Sequence, residues 1–316
     1  MLKATQNWFR STVRWRGSVL PAILPRSLIC GASGVLITIL HQLGWPVGIP
    51  ALAGLVPNLV LGLMLVFRTN TAYERFWEGR RLWGSLVNVS RNLARQIWTN
   101  VAEPESDNIV LGRQSDTVPG ARSDREAKAA TLRLLVAFAV ATKLHLRQQP
   151  VNQELEQLLP SSKFFKLKQM NNPPLEVAFW IGDYLQQQYQ RDRLHIHQLI
   201  AMQELLNGMV DSLGGCERIL KTPIPLAYMI HLRQLLLLYC LTLPFQFVSD
   251  LGWWTSLVVV LISFTLFGIE EIAVEIENPF GQDANDLPLD AICETMLRNV
   301  EDLMTLTPSA GNLPNR

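Results

Sequence analysis

The sequence predicts an all-α membrane protein, with four transmembrane helices and a helical part outside the bilayer. Three observations predict it. Residues 251–269 carry no charge over nineteen positions, close to the roughly 20 apolar residues a helix needs to cross a hydrocarbon core of about 30 Å. The hydrophobic fraction is 48% and the mean hydropathy +0.15. Those values are high for a soluble chain and low for a bundle that is membrane throughout, so a sizeable polar part is expected beside the spans. Finally, the polar middle keeps helical spacing, with Leu132, Leu135, Val136, Ala139, Val140 and Leu144 recurring three and four apart.

At the N-terminus Lys3, Arg10, Arg14 and Arg16 mix with Trp8, Phe9 and Trp15. Cations among indoles suit a membrane–water interface, or a helix packed on the protein's own surface. The stretch has no apolar core, so it does not read as a cleaved signal peptide. Residues 27–45 form the first span, where Gly31 and Gly34 allow close helix contact, and His41 falls near its outer end. The turn WPVGIP, 45–50, is short enough to make the first two spans antiparallel neighbours.

Residues 51–67 contain no ionisable side chain and form the second span. Pro57 breaks one backbone hydrogen bond, and the freed carbonyl needs a partner that lipid does not offer. With Asn58 beside it, this helix is poorly suited to lipid on every side. One face is expected to meet protein or a cavity, as the lining helix of a pore. From Arg68 the helix turns polar, and Arg75, Arg80, Arg81, Arg91 and Arg95 follow. The positive-inside rule makes this end cytoplasmic or its topological equivalent.

Residues 103–125 read as a surface loop and 126–149 as an amphipathic helix outside the membrane. A broken region covers 150–174, and 175–208 is one long Gln-rich helix. His195 and His197, two apart on that helix, point away from each other and so are read as solvated or locally paired imidazoles rather than a metal site. Residues 224–248 form an imperfect third span containing His231, Arg233, Gln234 and Pro244. Asp250 and Gly252 make a turn, Trp253 and Trp254 an interfacial aromatic pair. The fourth span ends in Glu270, Glu271, Glu275 and Glu277. Four crossings place both termini and the middle insert on one side. The domains are therefore 1–70 (interfacial segment and the first two spans), 71–222 (helical region), 223–270 (the last two spans) and 271–316, packing on the helical region.

Several functions are excluded. The 28 basic and 27 acidic residues leave a net charge of +1, which gives no reason for nucleic-acid binding. Cys30, Cys216, Cys240 and Cys293 show no CxxC spacing and read as buried free thiols. No GxSxG, HExxH or Walker loop is present, and no enzyme is expected. No repeated half with paired broken helices argues for a secondary transporter. The aromatic run Tyr73, Phe76, Trp77 and Trp83 is assigned to packing between the second span and the helical region.

Three segments carry a resemblance. WRGS (15–18), FRTNTAYERFWEGRRLWGSLVN (67–88) and GIEEIAVEIENPFGQDANDLPLD (268–290) are similar to segments flanking the first, second and fourth spans of bestrophins, most closely the bacterial members and the plant thylakoid chloride channels. The NPFG core with its following acids is specific. With the four-span layout the resemblance covers most of the chain, leaving out 103–125 and the termini. It implies a homopentamer around one axial pore in a plasma, inner or thylakoid membrane, conducting chloride passively with no required cofactor. Matching VLGL to the family pattern places Leu55, Leu59 and Leu63 in an apolar neck, where animal members use isoleucine and phenylalanines. Positions four apart share a helix face, which agrees. Such a neck gates by dewetting. Two alternatives are a cation-conducting relative and a non-conducting membrane scaffold. The resemblance also places Asn278, Asp283 and Asp286 on positions of a calcium clasp. Against calcium stands the competing reading, preferred here, that Asp286 or Asp290 caps the helix starting near Ala291. An EF-hand is excluded, because the sixth position from Asp283 is Pro288 rather than Gly.

Overall fold

The computed structural model describes Trp15 and residues 17–49, 55–102 and 119–307, side chains of 55–57 and 119–123 excepted. Every regular element among them is helical. In chain order these are α1 (Leu20–Gln42), α2 (Leu55–Asn100), α3 (Pro119–Leu146), α4 (Gln153–Leu158), α5 (Ser161–Leu167), α6 (Pro173–Gln190), α7 (Ile196–Lys221), α8 (Leu226–Leu251), α9 (Trp254–Glu277) and α10 (Leu289–Thr305). The chain divides into two compact units: Met1–Glu78 with Thr222–Asp286, and Gly79–Lys221 with Leu287–Arg316.

The first unit holds α1, the start of α2, α8 and α9. Its core joins Ile23, Cys30, Leu61, Leu65, Leu232, Leu236, Cys240, Leu243, Val259 and Phe267. α1 packs most closely on α9, and small residues make that approach. A Cβ at Gly31 would lie 2.3 Å from Val260 Cγ2, and one at Gly34 would lie 3.0 Å from Ser256 Cα. Ser256 Oγ donates to the Gly31 carbonyl at 2.8 Å, and Thr38 Oγ1 to that of Gly34 at 2.8 Å. Small residues at a helix seam with hydroxyls bonding backbone are how apolar helices hold together where water supplies no drive.

α1, α8 and α9 are long and apolar enough to cross a membrane. A fourth helix meets the same measure, Asp124–Leu146 in α3, but 78% of its apolar window is buried inside the protein. Its residues from Leu134 to Lys143 are buried on all sides, so α3 is the central helix of the second unit rather than the one-sided amphipathic helix expected. A helix apolar all round lies in a core or a membrane, and here its own domain supplies the core.

Other boundaries moved for identifiable reasons. α1 begins at Leu20, seven residues before the expected start. Pro21 sits where the helix's first amides have no partner anyway, and Pro25 is accommodated inside the helix. The link after α1 is more than a turn. Ile49 N–H donates to the Phe245 carbonyl at 2.8 Å, and Gly48 lies against Ser249, so the chain is laid on the end of α8. The expected helix 175–208 is two helices. Asp192 takes φ 55°, α6 ends, and α7 begins at Ile196. His195 therefore precedes the helix, the spacing rule does not apply, and the rings of His195 and His197 stack with centroids 5.2 Å apart. All four cysteines are buried and unbridged.

Candidate conduction helix and its anchoring network

α2 has two faces of opposite character where it belongs to the first unit. Leu61, Leu65, Arg68 and Ala72, spaced four, three and four apart, are buried. On the other side Leu59 is 63% exposed and Leu63 50%, and Val66 and Phe67 are exposed with them. Both predicted neck leucines within the described side chains thus lie on the face turned away from the subunit's own core. Leu55 opens the helix four residues earlier, and its side chain is outside the described set. The exposed stripe continues through Asn70, Tyr73, Glu74 and Trp77. This corrects the aromatic assignment: Trp83 is fully buried in the second unit, but Tyr73 and Trp77 face outward. Helical phase places these two rings on the open side of α2.

The buried face of α2 is pinned by charge. Arg68, 1% exposed, donates from Nη2 to Glu277 Oε2 at 2.7 Å and lies 4.0 Å from Met229 Sδ. Its Nη1 is buried with no hydrogen-bond partner among the described residues. Glu277 Oε1 also accepts the Ile224 amide at 3.4 Å. Arg75 donates to the carbonyls of Glu277 and Thr222, and Tyr228 Oη donates to the Met64 carbonyl at 2.9 Å. One residue at the end of α9 therefore ties α2 to the start of α8. A second cluster lies nearby in the same unit. Arg26 pairs with Glu271 at 2.7 Å, and Arg233 Nε donates to the buried Glu270 at 2.9 Å.

These pairings were not read from the sequence. The signal was available, since the four crossings expected from the sequence put the basic residues near the ends of three spans and the glutamates ending the fourth on one side. Opposite charges at one depth pair because an unpaired charge next to hydrocarbon is costly.

The 278–286 loop satisfies its own polar groups. Asp286 Oδ2 accepts the Asp283 amide at 2.7 Å, and Asn278 Oδ1 accepts the Phe280 amide at 3.4 Å. A Cβ at Gly281 would meet Asp286 Oδ2 at 2.5 Å, so a side chain there would displace the Asp286 carboxylate from this turn. Phe280 is fully buried and Asp283 points to solvent. Asn278 and Asp286 each spend an oxygen on a loop amide, and two carboxylates with one amide leave most of the six to eight oxygen positions calcium takes to backbone carbonyls and water. No group of three or more His, Cys, Asp or Glu placed to hold a metal occurs among the described residues. Helix capping is corrected too. Pro288 occupies the N-cap of α10 with no side-chain cap. Asp290 instead accepts from Lys143 Nζ at 2.8 Å and Arg147 Nη1 at 2.9 Å. Burial works to raise the Asp290 carboxyl, but those two hydrogen bonds outweigh it and hold it below its ordinary value.

The three similar segments converge in the first unit. Arg68 and Arg75 from the second meet Glu277 from the third. Gly17 from the first, at φ 75°, lies against Ala284, with its would-be Cβ 3.3 Å from that side chain. Comparison with known proteins agrees with this convergence. A family model described as bacterial/fungal bestrophin protein matches residues 1–302. The chain belongs to the bestrophin family. A relative in Nostoc, named voltage-dependent anion channel-forming protein, is 62% identical over 98% of this chain and 95% of its own. The protein of the same name in Escherichia coli, YneE, is 34% identical over 94% and 91%. Among solved structures, a bacterial bestrophin homologue from Klebsiella pneumoniae superposes with TM-score 0.76 at 30% identity, covering 90% of this chain and all of that one. As a bestrophin it is a membrane protein, and the family together with its channel-named relatives marks a channel rather than an enzyme.

Proposed function

We propose that the chain is one subunit of a homopentameric anion channel that passes chloride through an apolar neck of Leu55, Leu59 and Leu63. The observation that carries this reading is the outward apolar face of α2, opposite a face fixed by Arg68 and the unit's core. A single subunit gains nothing from exposing Leu59, Leu63, Val66 and Phe67 in water, because large exposed apolar patches mark surfaces used for assembly or lipid. Arranged around an axis, the same face makes a narrow dry constriction that excludes water until it widens. The names of the Nostoc and Escherichia coli relatives favour anions over cations. The arginines after α2's apolar part orient the termini and the helical region to the cytoplasmic side, in a plasma, inner or thylakoid membrane. No cofactor is required, and the 278–286 loop acts as a structural clasp. Chloride-loaded liposomes containing the purified protein release chloride when a potassium conductance balances the charge. Failure to release chloride at any voltage or calcium concentration points instead to a non-conducting scaffold.

A further inference from the structure

A cavity of about 400 Å³ opens between α1, α8 and α9 of the first unit. Its apolar part is formed by the buried Cys30, Leu236 and Phe267, with the exposed Ile29 and Leu237 at its rim. Its mouth is charged, lined by Arg26, Arg233, Glu270 and Glu271. The three helices are the ones long and apolar enough to span a bilayer, so the charged mouth marks the depth at which hydrocarbon gives way to headgroups. The two acids are well covered, whereas the Arg26 and Arg233 side chains are 49% and 56% exposed. Each arginine spends part of its fork on a carboxylate: Arg26 gives Nη1 to Glu271, and Arg233 gives Nε to Glu270. A guanidinium has five N–H donors in a planar fork that matches phosphate geometry. The Glu partners tie both forks, and each half-exposed guanidinium keeps further N–H donors beyond the one given to its acid.

We infer that this cavity is a site for one membrane phospholipid, its phosphate held by Arg26 and Arg233 and an acyl chain laid between α1 and α8. The cavity's volume is in the range of small-ligand sites and suits part of one acyl chain. The bilayer supplies the ligand at high local concentration, so modest affinity suffices for occupancy. Glu270 is buried at the floor of the mouth, which disfavours a free inorganic anion entering without an apolar tail to hold it. The inference rests on the membrane reading of α1, α8 and α9 but not on chloride conduction, and its test does not measure flux.

The test is native mass spectrometry of the detergent-purified protein titrated with a dioleoyl phosphatidylglycerol. Dioleoylglycerol, which lacks the phosphate, and glycerol phosphate, which lacks the acyl chains, are the controls. The expected result is saturable binding of phosphatidylglycerol about tenfold tighter than either control, as charge-assisted hydrogen bonds to one phosphate would give. Ile29→Trp, which fills the groove without touching a charge, abolishes that binding, and Arg26→Gln weakens it about tenfold. Equal binding by wild type and Ile29→Trp overturns the proposal, as does equal binding of phosphatidylglycerol and dioleoylglycerol. A Leu237→Cys variant that cross-links subunits through a short bismaleimide also overturns it, because a neighbouring copy then covers the groove.

Discussion

Arg68 shows how a charge is tolerated on the buried face of α2. Its guanidinium is buried and its compensation is concentrated in one carboxylate, Glu277, at 2.7 Å. Removing one partner of such a pair leaves the other uncompensated and costs about 3–5 kcal/mol, more than the pair itself contributes. Glu277→Gln is therefore expected to lower the thermal midpoint strongly, and Arg68→Met to recover part of that loss when added to it. Thermal melts of the four proteins in a double-mutant cycle check this, and additive losses would contradict the pairing. Asp290 offers a test by pH. Its carboxyl lies below the ordinary 3.8 in the folded chain, so its contribution is present above that value and is lost as pH falls through the lowered folded value. Asp290→Asn is expected to flatten the acid limb of stability below about pH 4. The effect is small because Asp290 faces solvent, and it is read from melts between pH 2 and 6.

At the scale of elements, the α1–α9 seam depends on Gly34. A Cβ there would press on the backbone of Ser256, which cannot swing aside as a side-chain tip could. Gly34→Leu is expected to separate the two helices and reduce the yield of folded protein, whereas Gly214→Ala on α7 meets open space and is expected to be neutral. Size-exclusion profiles in detergent distinguish these outcomes. The same helices show what sequence disclosed. Gly31 and Gly34 announced a close seam because only small residues serve there. The apolar runs announced α8 and α9 because a bilayer-length stretch has few other uses. The α6–α7 break at Asp192 was hidden, since helical spacing on both sides continues with no Gly or Pro between 183 and 206. The all-round burial of α3 was hidden because Arg133, Lys143 and His145 resemble a polar face. Lys143 is in fact buried, donating to Glu154 at 2.6 Å and to Asp290 at 2.8 Å, and only partners from distant sequence reveal that.

For the whole molecule, the outward face of Leu59 and Leu63 was legible from spacing, whereas the proposed neck needs the resemblance as well, because leucines four apart define a face but do not say what it faces. The ion pairs behind that face were not legible, because they join residues about two hundred positions apart. In the proposed channel both matter: Glu277 and the core hold one side of α2, and the other stays unoccupied by the subunit's own side chains. Leu63→Ala is expected to raise chloride conductance about tenfold, the effect of lowering a dewetting barrier by about 1.4 kcal/mol, in planar bilayers at matched protein density. The account is tested most directly by the reversal potential of wild-type protein in planar bilayers under a tenfold sodium chloride gradient. A potential close to the chloride equilibrium value, retained in Leu63→Ala as the current grows, is the predicted result. A potential close to the sodium value would contradict the account.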